Sequence, residues 1–341
     1  MSAAGRIDVL VLGLGPAGAS AAAEAARRGC NVVALDRKRE AGRPVQCAEL
    51  VPAMLDVEGA TVRQRIDAMA TFVEDDPADL EPAFPGRMLD RAAFDAALVK
   101  RAEGLGVRCV FSKGVRKVRR DGGVELTDGT TLQARVLIGA DGPRSKVGAA
   151  IDSVNTELVE TRQVTVALGA PHAATDIFLS AAIPGGYGWL FPKGAVANLG
   201  AGVSPAHKGR LKAIVDRLHR QGIREGRLGR EVHARTGGAI PVGGMLKPWG
   251  RLGETLALLA GDAAGLANPV TGAGIAAAVH SGRLAGEAAA HTAPDAFEEE
   301  LQDVFGAALA RALRRRRELL ESVPDKAALR RAWIAYPEYW R

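Results

Sequence analysis

The hydrophobic positions of this chain fall into short apolar runs, most of them closed by glycine or aspartate. The first, Ile7-Asp8-Val9-Leu10-Val11-Leu12, meets Gly13-Leu14-Gly15-Pro16-Ala17-Gly18, and a small-residue stretch at 19–28 then reads as a helix. A second run at 31–35 ends in Asp36. Such runs, apolar on successive residues rather than alternating, are the pattern of strands covered on both faces. Two more, at 136–140 and 256–260, end in Asp141-Gly142 and Gly261-Asp262. The last leads through Asn268-Pro269 and Thr271-Gly272-Ala273-Gly274-Ile275 into a long small-residue helix at 276–290. In mid-chain, residues 176–180 read as a strand, and Tyr187, Trp189 and Phe191 alternate with period two, which puts three rings on one strand face. Near the end, Leu309, Leu313, Leu319 and Leu320 form the apolar face of a helix that also carries Arg311 and Arg314-Arg315-Arg316-Arg317.

The first motif has a specific chemistry. Its glycines allow a tight turn and bring backbone N–H groups against a pyrophosphate at a helix N-terminus, while an acid closing the second strand can bind a ribose hydroxyl pair. Strand, GxGxxG, helix, strand and acid all stand in order, so residues 7–36 are expected to bind a dinucleotide. A strand ending in Asp-Gly is common by itself, and Asp141 gains weight only beside the first motif. The third segment is longer, and the free N–H groups opening its helix can face an anionic or electron-rich part of a cofactor. NAD as the only dinucleotide is the competing reading, but a simple dehydrogenase has no need of the second and third segments.

Composition narrows the picture. With 341 residues, 47% hydrophobic and 25% charged, the chain suits one large or two closely joined globular domains. A net charge of +6 from scattered arginines, without a base-stacking motif, argues against nucleic acid. The three cysteines, Cys30, Cys47 and Cys109, form no CxxC pair, which speaks against zinc or an iron–sulfur cluster and for a reducing, cytoplasmic compartment. Arg6 ahead of the first apolar run does not make a leader, because Asp8 and the glycines interrupt it. No stretch reaches the ~18 apolar residues of a membrane span, so any membrane contact is expected to be peripheral.

The three nucleotide-binding segments resemble the GxGxxG, DG and GD fingerprints of FAD proteins related to the aromatic hydroxylases. Tyr187-Gly188-Trp189-Leu190-Phe191-Pro192-Lys193, with Gly200-Ala201-Gly202 beyond it, is similar to the YxWxFPK…GxG signature of the geranylgeranyl reductase family. Pro44-Val45-Gln46-Cys47-Ala48-Glu49 resembles that family's P-x-x-C-[AG]-E segment, and Asp90-Arg91-Ala92-Ala93-Phe94-Asp95 its D-R-x-x-F-D helix start. The resemblance covers residues 7 to about 280. It implies an α/β architecture in which a Rossmann-like FAD domain (1–60, 90–150, 255–295) is interleaved with a smaller antiparallel-sheet substrate domain (61–89, 151–254), before a helical segment at 296–341. It carries cofactor contact to Gly13, Gly15, Pro16, Ala17, Gly18, Asp36 and Arg37; to Arg43, Cys47, Ala48 and Arg91; and to Asp141, Gly261, Asp262, Pro269, Gly272, Gly274 and Ile275.

The implied activity is saturation of carbon–carbon double bonds in the prenyl chain of a lipid, quinone or pigment. Electrons would come from outside, from NAD(P)H or a reduced ferredoxin-like protein. The alternatives are a flavin monooxygenase acting on an aromatic or polyketide-like substrate, a halogenase, and a flavin-binding electron-transfer partner. Three readings stay open. Tyr187, Trp189 and Phe191 are either plain core or the wall of an isoprenoid pocket, where aromatic rings would offer apolar contact and stabilise cationic character. Cys47 is either a small buried hydrophobe or a group close to the flavin with an acid or redox role. The arginine-rich C-terminal helix, followed by the aromatic stretch at 333–341, is a docked basic helix, an interfacial helix, or a lid over an apolar channel.

Overall fold

The computed structural model describes residues 6–53, 55 and 61–341. Each apolar run becomes a buried strand of one six-stranded sheet, ordered Trp249–Leu252, Thr255–Leu259, Val136–Gly139, Val9–Leu12, Val32–Leu35 and Arg108–Val110. The strands are parallel except for the antiparallel edge strand Trp249–Leu252. Helices Pro16–Arg27 and Ile275–His291 bury small residues against it, Ala19, Ala21, Ala22, Ala25, Ala285 and Ala289 among them. Small side chains bring the helix axes close to the strands, which is why these helices contain so much alanine.

Register decides where the motifs land. Leu12 pairs with Gly139, and Gly139 with Leu259. Gly13, Ala140 and Ala260 therefore follow side by side, tied by Ala140 N–H donating to Leu12 O (2.8 Å) and Ala260 N–H to Gly139 O (3.0 Å). Three segments more than a hundred residues apart thus end on one sheet edge. It is the carboxyl edge, where the strand order reverses and open α/β sheets bind their ligands.

A second, eight-stranded and mainly antiparallel sheet stands over that edge. Its centre is Leu158–Leu168, Val196–Val203, Gly188–Lys193 and Ala174–Leu179. Alternation splits its residues. Val164, Val166, Leu190, Leu199, Ala201 and Val203 pack under helix Leu211–Arg224, which lays down Leu211, Ile214, Val215 and Leu218. The opposite face, with Gln163, Trp189, Phe191 and Asn198, turns toward the Cys47–Glu49 loop and the C-terminal segment.

The domain boundaries differ in detail from the sequence reading. Trp249–Leu252, placed with the substrate domain, joins the cofactor sheet, because the short turn after it returns the chain antiparallel onto Thr255–Leu259. Segment 61–89 divides: Ala68–Val73 and Asp79–Glu81 extend the large sheet, while Val62–Ile66 and Gly86–Leu89 form a small sheet with Leu50–Pro52. The expected boundary at residue 60 lies outside the described residues.

Gly200 explains the glycine pair after the aromatic strand. A Cβ there would stand 2.3 Å from Trp189 Cζ2 and 2.8 Å from Arg162 O, so the indole lies flat across the neighbouring strand only because position 200 has no side chain. Gly200→Val should therefore destabilise the protein by about 1–3 kcal/mol, the usual cost of overpacking. Urea unfolding followed by tryptophan emission would show it; an unchanged midpoint would mean that the ring is free to move aside.

Candidate active site

The carboxyl edge is built for a dinucleotide. Gly13 turns at φ +98, and a Cβ on it would lie 2.2 Å from Ala140 O, whereas a Cβ on Gly15 would meet nothing within 4 Å. The loop is thus packed tightly below and open above. Leu14 N–H donates to Asp36 Oδ2 and Lys38 N–H to Asp36 Oδ1, both at 2.8 Å, so the acid holds the glycine loop and retains lone pairs for a hydroxyl donor. Pro16, Ala17 and Gly18 open the helix Pro16–Arg27, which has no side-chain cap, and the helix Ile275–His291 starts from Gly274 equally uncapped. Uncapped helix starts carry orphan N–H donors and the positive end of the dipole, which together suit a pyrophosphate or an electron-rich ring.

Two aspartates complete this edge. Asp141 Oδ2 accepts from Lys146 N–H (2.7 Å), while its Oδ1 is buried without a partner among the described residues. Burial raises the Asp141 pKa. Asp262, one residue past the positive-φ turn at Gly261, is pushed up to about 6 by burial, with the Arg91 charge partly offsetting. The orphan Asp141 oxygen calls for a hydroxyl donor, and the hydroxyl-rich chain of FAD can supply one. Glycine loop, two uncapped helices and hydroxyl-seeking acids fit FAD. Arg37 and Arg43, expected at the cofactor, are exposed on their loop, Arg43 lying 3.8 Å from Glu40.

The helix Arg91–Gly104 shows what each letter of D-R-x-x-F-D does. Asp90 caps it by accepting from Ala93 N–H (3.0 Å), Phe94 is core, and Asp95 pairs with Arg91 at 3.0 Å. Burial works to lower the Arg91 pKa, but the Cys47 sulfur and the Asp95 carboxylate beside it carry it above the ordinary arginine range. A fixed positive charge therefore stands next to Cys47.

The Cys47 loop is strapped to the aromatic sheet by contacts that motif-reading did not assign. Glu49, 5% exposed and at φ +72, accepts from Lys193 Nζ (2.5 Å), Asn198 Nδ2 (2.8 Å) and Arg91 N–H (3.3 Å). Asn198 also donates to Ala48 O, and Gln163 Nε2 to Cys47 O, while Gln163 Oε1 accepts from the Trp189 indole at 3.0 Å. Glu49 and Lys193 both sat inside recognised motifs, but nothing in their spacing shows that the two motifs bind each other.

Tyr187, Trp189 and Phe191 form one wall. Ring centroids are 5.8 Å apart for the first pair and 6.3 Å for the second. The Tyr187 hydroxyl donates to Thr271 O (2.5 Å), and burial pushes its pKa up, so it clamps the wall to the Pro269–Gly272 turn. A cavity opens between Tyr187, Trp189, Ile240, Pro269 and Val270. The C-terminal segment closes over this wall: Trp333 packs on Tyr187 at 4.8 Å, and Leu329 joins the same apolar cluster. The arginine-rich helix Ala307–Leu320 is docked, with Arg315 bonded to the carbonyls of Tyr339 and Glu338. Among the described residues no His, Cys, Asp and Glu group is arranged to hold a metal ion.

Two outcomes are expected of this arrangement. Removing Glu49 strands Lys193 and Asn198, so Glu49→Ala should cost about 3–5 kcal/mol, as for other broken buried ion pairs. Glu49→Gln with Lys193→Met should cost less than the two single changes summed, measured by denaturant unfolding. For Asp262 the raised pKa means that the ionised form is disfavoured by folding. The penalty is absent below the unfolded value of 3.8, grows as pH rises to about 6, and is then constant at ~3 kcal/mol. Asp262→Asn should accordingly raise the melting temperature of the cofactor-free protein at pH 8 but leave it unchanged near pH 3.5; equal gains at both pH values would refute the assignment.

Comparison with known proteins shows the family of the chain. Residues 6–175 match the FAD binding domain family, and residues 159–239 the geranylgeranyl reductase catalytic domain family. Digeranylgeranylglycerophospholipid reductase 1 of Methanopyrus kandleri is 33% identical, over 93% of this chain and 91% of its own. In fold, a geranylgeranyl bacteriochlorophyll reductase-like protein of Thermoplasma acidophilum superposes with a TM-score of 0.83 at 22% identity, covering 94% of this chain and 89% of that one. PqsL, a probable FAD-dependent monooxygenase of Pseudomonas aeruginosa, gives 0.69 at 20% identity, covering 95% and 98%. The monooxygenase shares the fold alone, whereas the archaeal reductase matches in sequence along nearly the whole chain. The chain with this flavin edge and aromatic wall belongs to the geranylgeranyl reductase family of FAD-dependent oxidoreductases.

Proposed function

We propose that this protein saturates carbon–carbon double bonds in the prenyl chain of a lipid, quinone or pigment. The observation that carries this reading is the strapping of the Tyr187–Trp189–Phe191 wall to the Cys47 loop beside the dinucleotide edge. FAD, bound and reduced, supplies the hydride. The chain supplies the rest. The rings line an apolar groove and present π faces where an isolated alkene takes up a proton and gains positive character at its branched carbon. Trp333 and Leu329 keep water out, which protects that charge from capture. Tyr187 spends its proton on Thr271 O, so the acid assigned in this reading is Cys47, set beside the Arg91 guanidinium, with a flavin-bound proton as the alternative. One proton and one hydride would add two hydrogens to each double bond, with NAD(P)H or a reduced ferredoxin-like protein as the outside source of electrons.

The substrate's nature also bears on location. Leu320, Val323 and Trp340 are exposed on the C-terminal segment, with Arg311 over the Trp340 ring at 5.4 Å. Apolar side chains beside arginines suit the surface of an anionic bilayer, and we assign peripheral membrane contact to this edge. No described helix is long and apolar enough to cross a membrane. The three cysteines are unpaired thiols, in keeping with a cytoplasmic setting.

The test is anaerobic reduction of the FAD-loaded protein with dithionite, followed by addition of prenyl lipids and prenylquinones and mass spectrometry of the products. A gain of two hydrogens per double bond with flavin reoxidation is expected. Oxygen-dependent hydroxylation of an aromatic compound, with every alkene untouched, would transfer the case to the monooxygenase reading. Cys47→Ser should keep its flavin and lower single-turnover prenyl reduction by about 10²-fold or more, the usual worth of a general acid. An unchanged rate would remove Cys47 from the acid role.

A further inference from the structure

Four consecutive arginines lie on the helix Ala307–Leu320, and three of them have ordinary partners. Arg314 and Arg315 face Glu318, and Arg317 reaches Glu157. Arg316 turns the other way. It is 6% exposed and lines the cavity beside Tyr187, Trp189 and Pro269. Its Nη1 donates to Gly185 O at 3.0 Å and weakly to Pro269 O at 3.5 Å. Among the described residues no carboxylate comes within ion-pair distance of it, and its Nε is buried without an acceptor. Burial lowers the Arg316 pKa, with only the more distant Glu157 acting against that.

A second orphan borders the same Tyr187 ring. The Trp333 indole N–H is also buried without an acceptor, on a ring packed against the same Tyr187. Two unsatisfied donors, one of them cationic, thus border one apolar wall. Buried charge without a counterion is costly, and such a site persists where a ligand supplies the missing acceptor. Guanidinium matches the planar, multidentate demand of a phosphate or similar oxyanion, and arginine serves this role better than lysine.

We propose that Arg316 binds an oxyanion, phosphate in the first instance, at the polar end of the substrate pocket. The pocket is then amphipathic, with the oxyanion on Arg316 and an apolar chain running along Tyr187 and Trp189. The assignment rests on the prenyl-reductase reading for the identity of that chain, but not for the anion site itself.

The test measures binding to the FAD-loaded protein, oxidised, through perturbation of the flavin spectrum and tryptophan emission. The probes are geranylgeranyl phosphate, geranylgeraniol and inorganic phosphate. Geranylgeranyl phosphate should bind about tenfold to a hundredfold more tightly than the alcohol, as expected for hydrogen bonds to a charged group. Arg316→Met should bring that ratio close to one, and Arg316→Lys should retain part of it. Inorganic phosphate should compete weakly with the prenyl phosphate in the parent protein and not in Arg316→Met. If inorganic phosphate alone binds as tightly as the prenyl phosphate, the site serves free phosphate and the substrate assignment falls. A ratio near one in the parent protein, or a ratio that survives Arg316→Met, overturns the proposal. So does a variant that loses flavin while its headgroup preference persists. Should Arg316→Met fail to fold, the parent ratio and Arg316→Lys still decide. The two readings also fail separately: headgroup preference without hydrogenation after dithionite reduction sinks the reductase, and hydrogenation of both lipids without preference sinks the anion site.

Discussion

Glu49 holds a buried negative charge that three distant parts of the chain converge to satisfy. Lys193 comes from the aromatic strand, Asn198 from its sheet neighbour, and the Arg91 N–H from the start of a helix on the cofactor side. A carboxylate this deeply placed is tolerable only when all its partners arrive together. Meeting that requirement sets the distance between the flavin edge and the substrate sheet. It also sets Cys47, two residues earlier, between the Arg91 guanidinium and the Trp189–Gln163 pair. The strap therefore positions the chemistry and joins the domains at once.

The aromatic wall depends on the same economy. Trp189 lies flat because Gly200 leaves room beneath it, and its N–H is consumed by Gln163, which in turn holds the Cys47 carbonyl. Tyr187 is fixed from the other side by Thr271 O, next to the uncapped helix start that faces the cofactor. The rings are thus core, and Tyr187 and Trp189 also border a cavity. The C-terminal segment packs Trp333 and Leu329 onto this cluster.

Much of the cofactor side was legible along the chain. Parallel strands announce themselves as apolar runs, and the GxGxxG turn with its closing acid obeys local backbone rules, so Gly13 and Asp36 stand out from their neighbours, whereas Asp141 and Asp262 gain meaning only beside that first motif. What could not be read was the secondary use of those residues. Asp36 spends hydrogen bonds on the glycine loop itself, and Arg37 and Arg43 stand exposed on the loop that follows it. The edge strand Trp249–Leu252 was misplaced because a short antiparallel strand looks the same from either domain.

By itself, then, the sequence determined the α/β class, the FAD fingerprints and the family, since these reside in short stretches whose geometry is set by residues a few positions apart. Tertiary structure alone decided that Glu49 meets Lys193, that Gly200 lies under Trp189, and that Arg316 among four similar arginines turns inward. Those facts depend on strand register and on helices docking from far along the chain. Sequence distance carries no information about contacts between segments more than a hundred residues apart, whereas sheet pairing and the need to satisfy buried polar groups fix them.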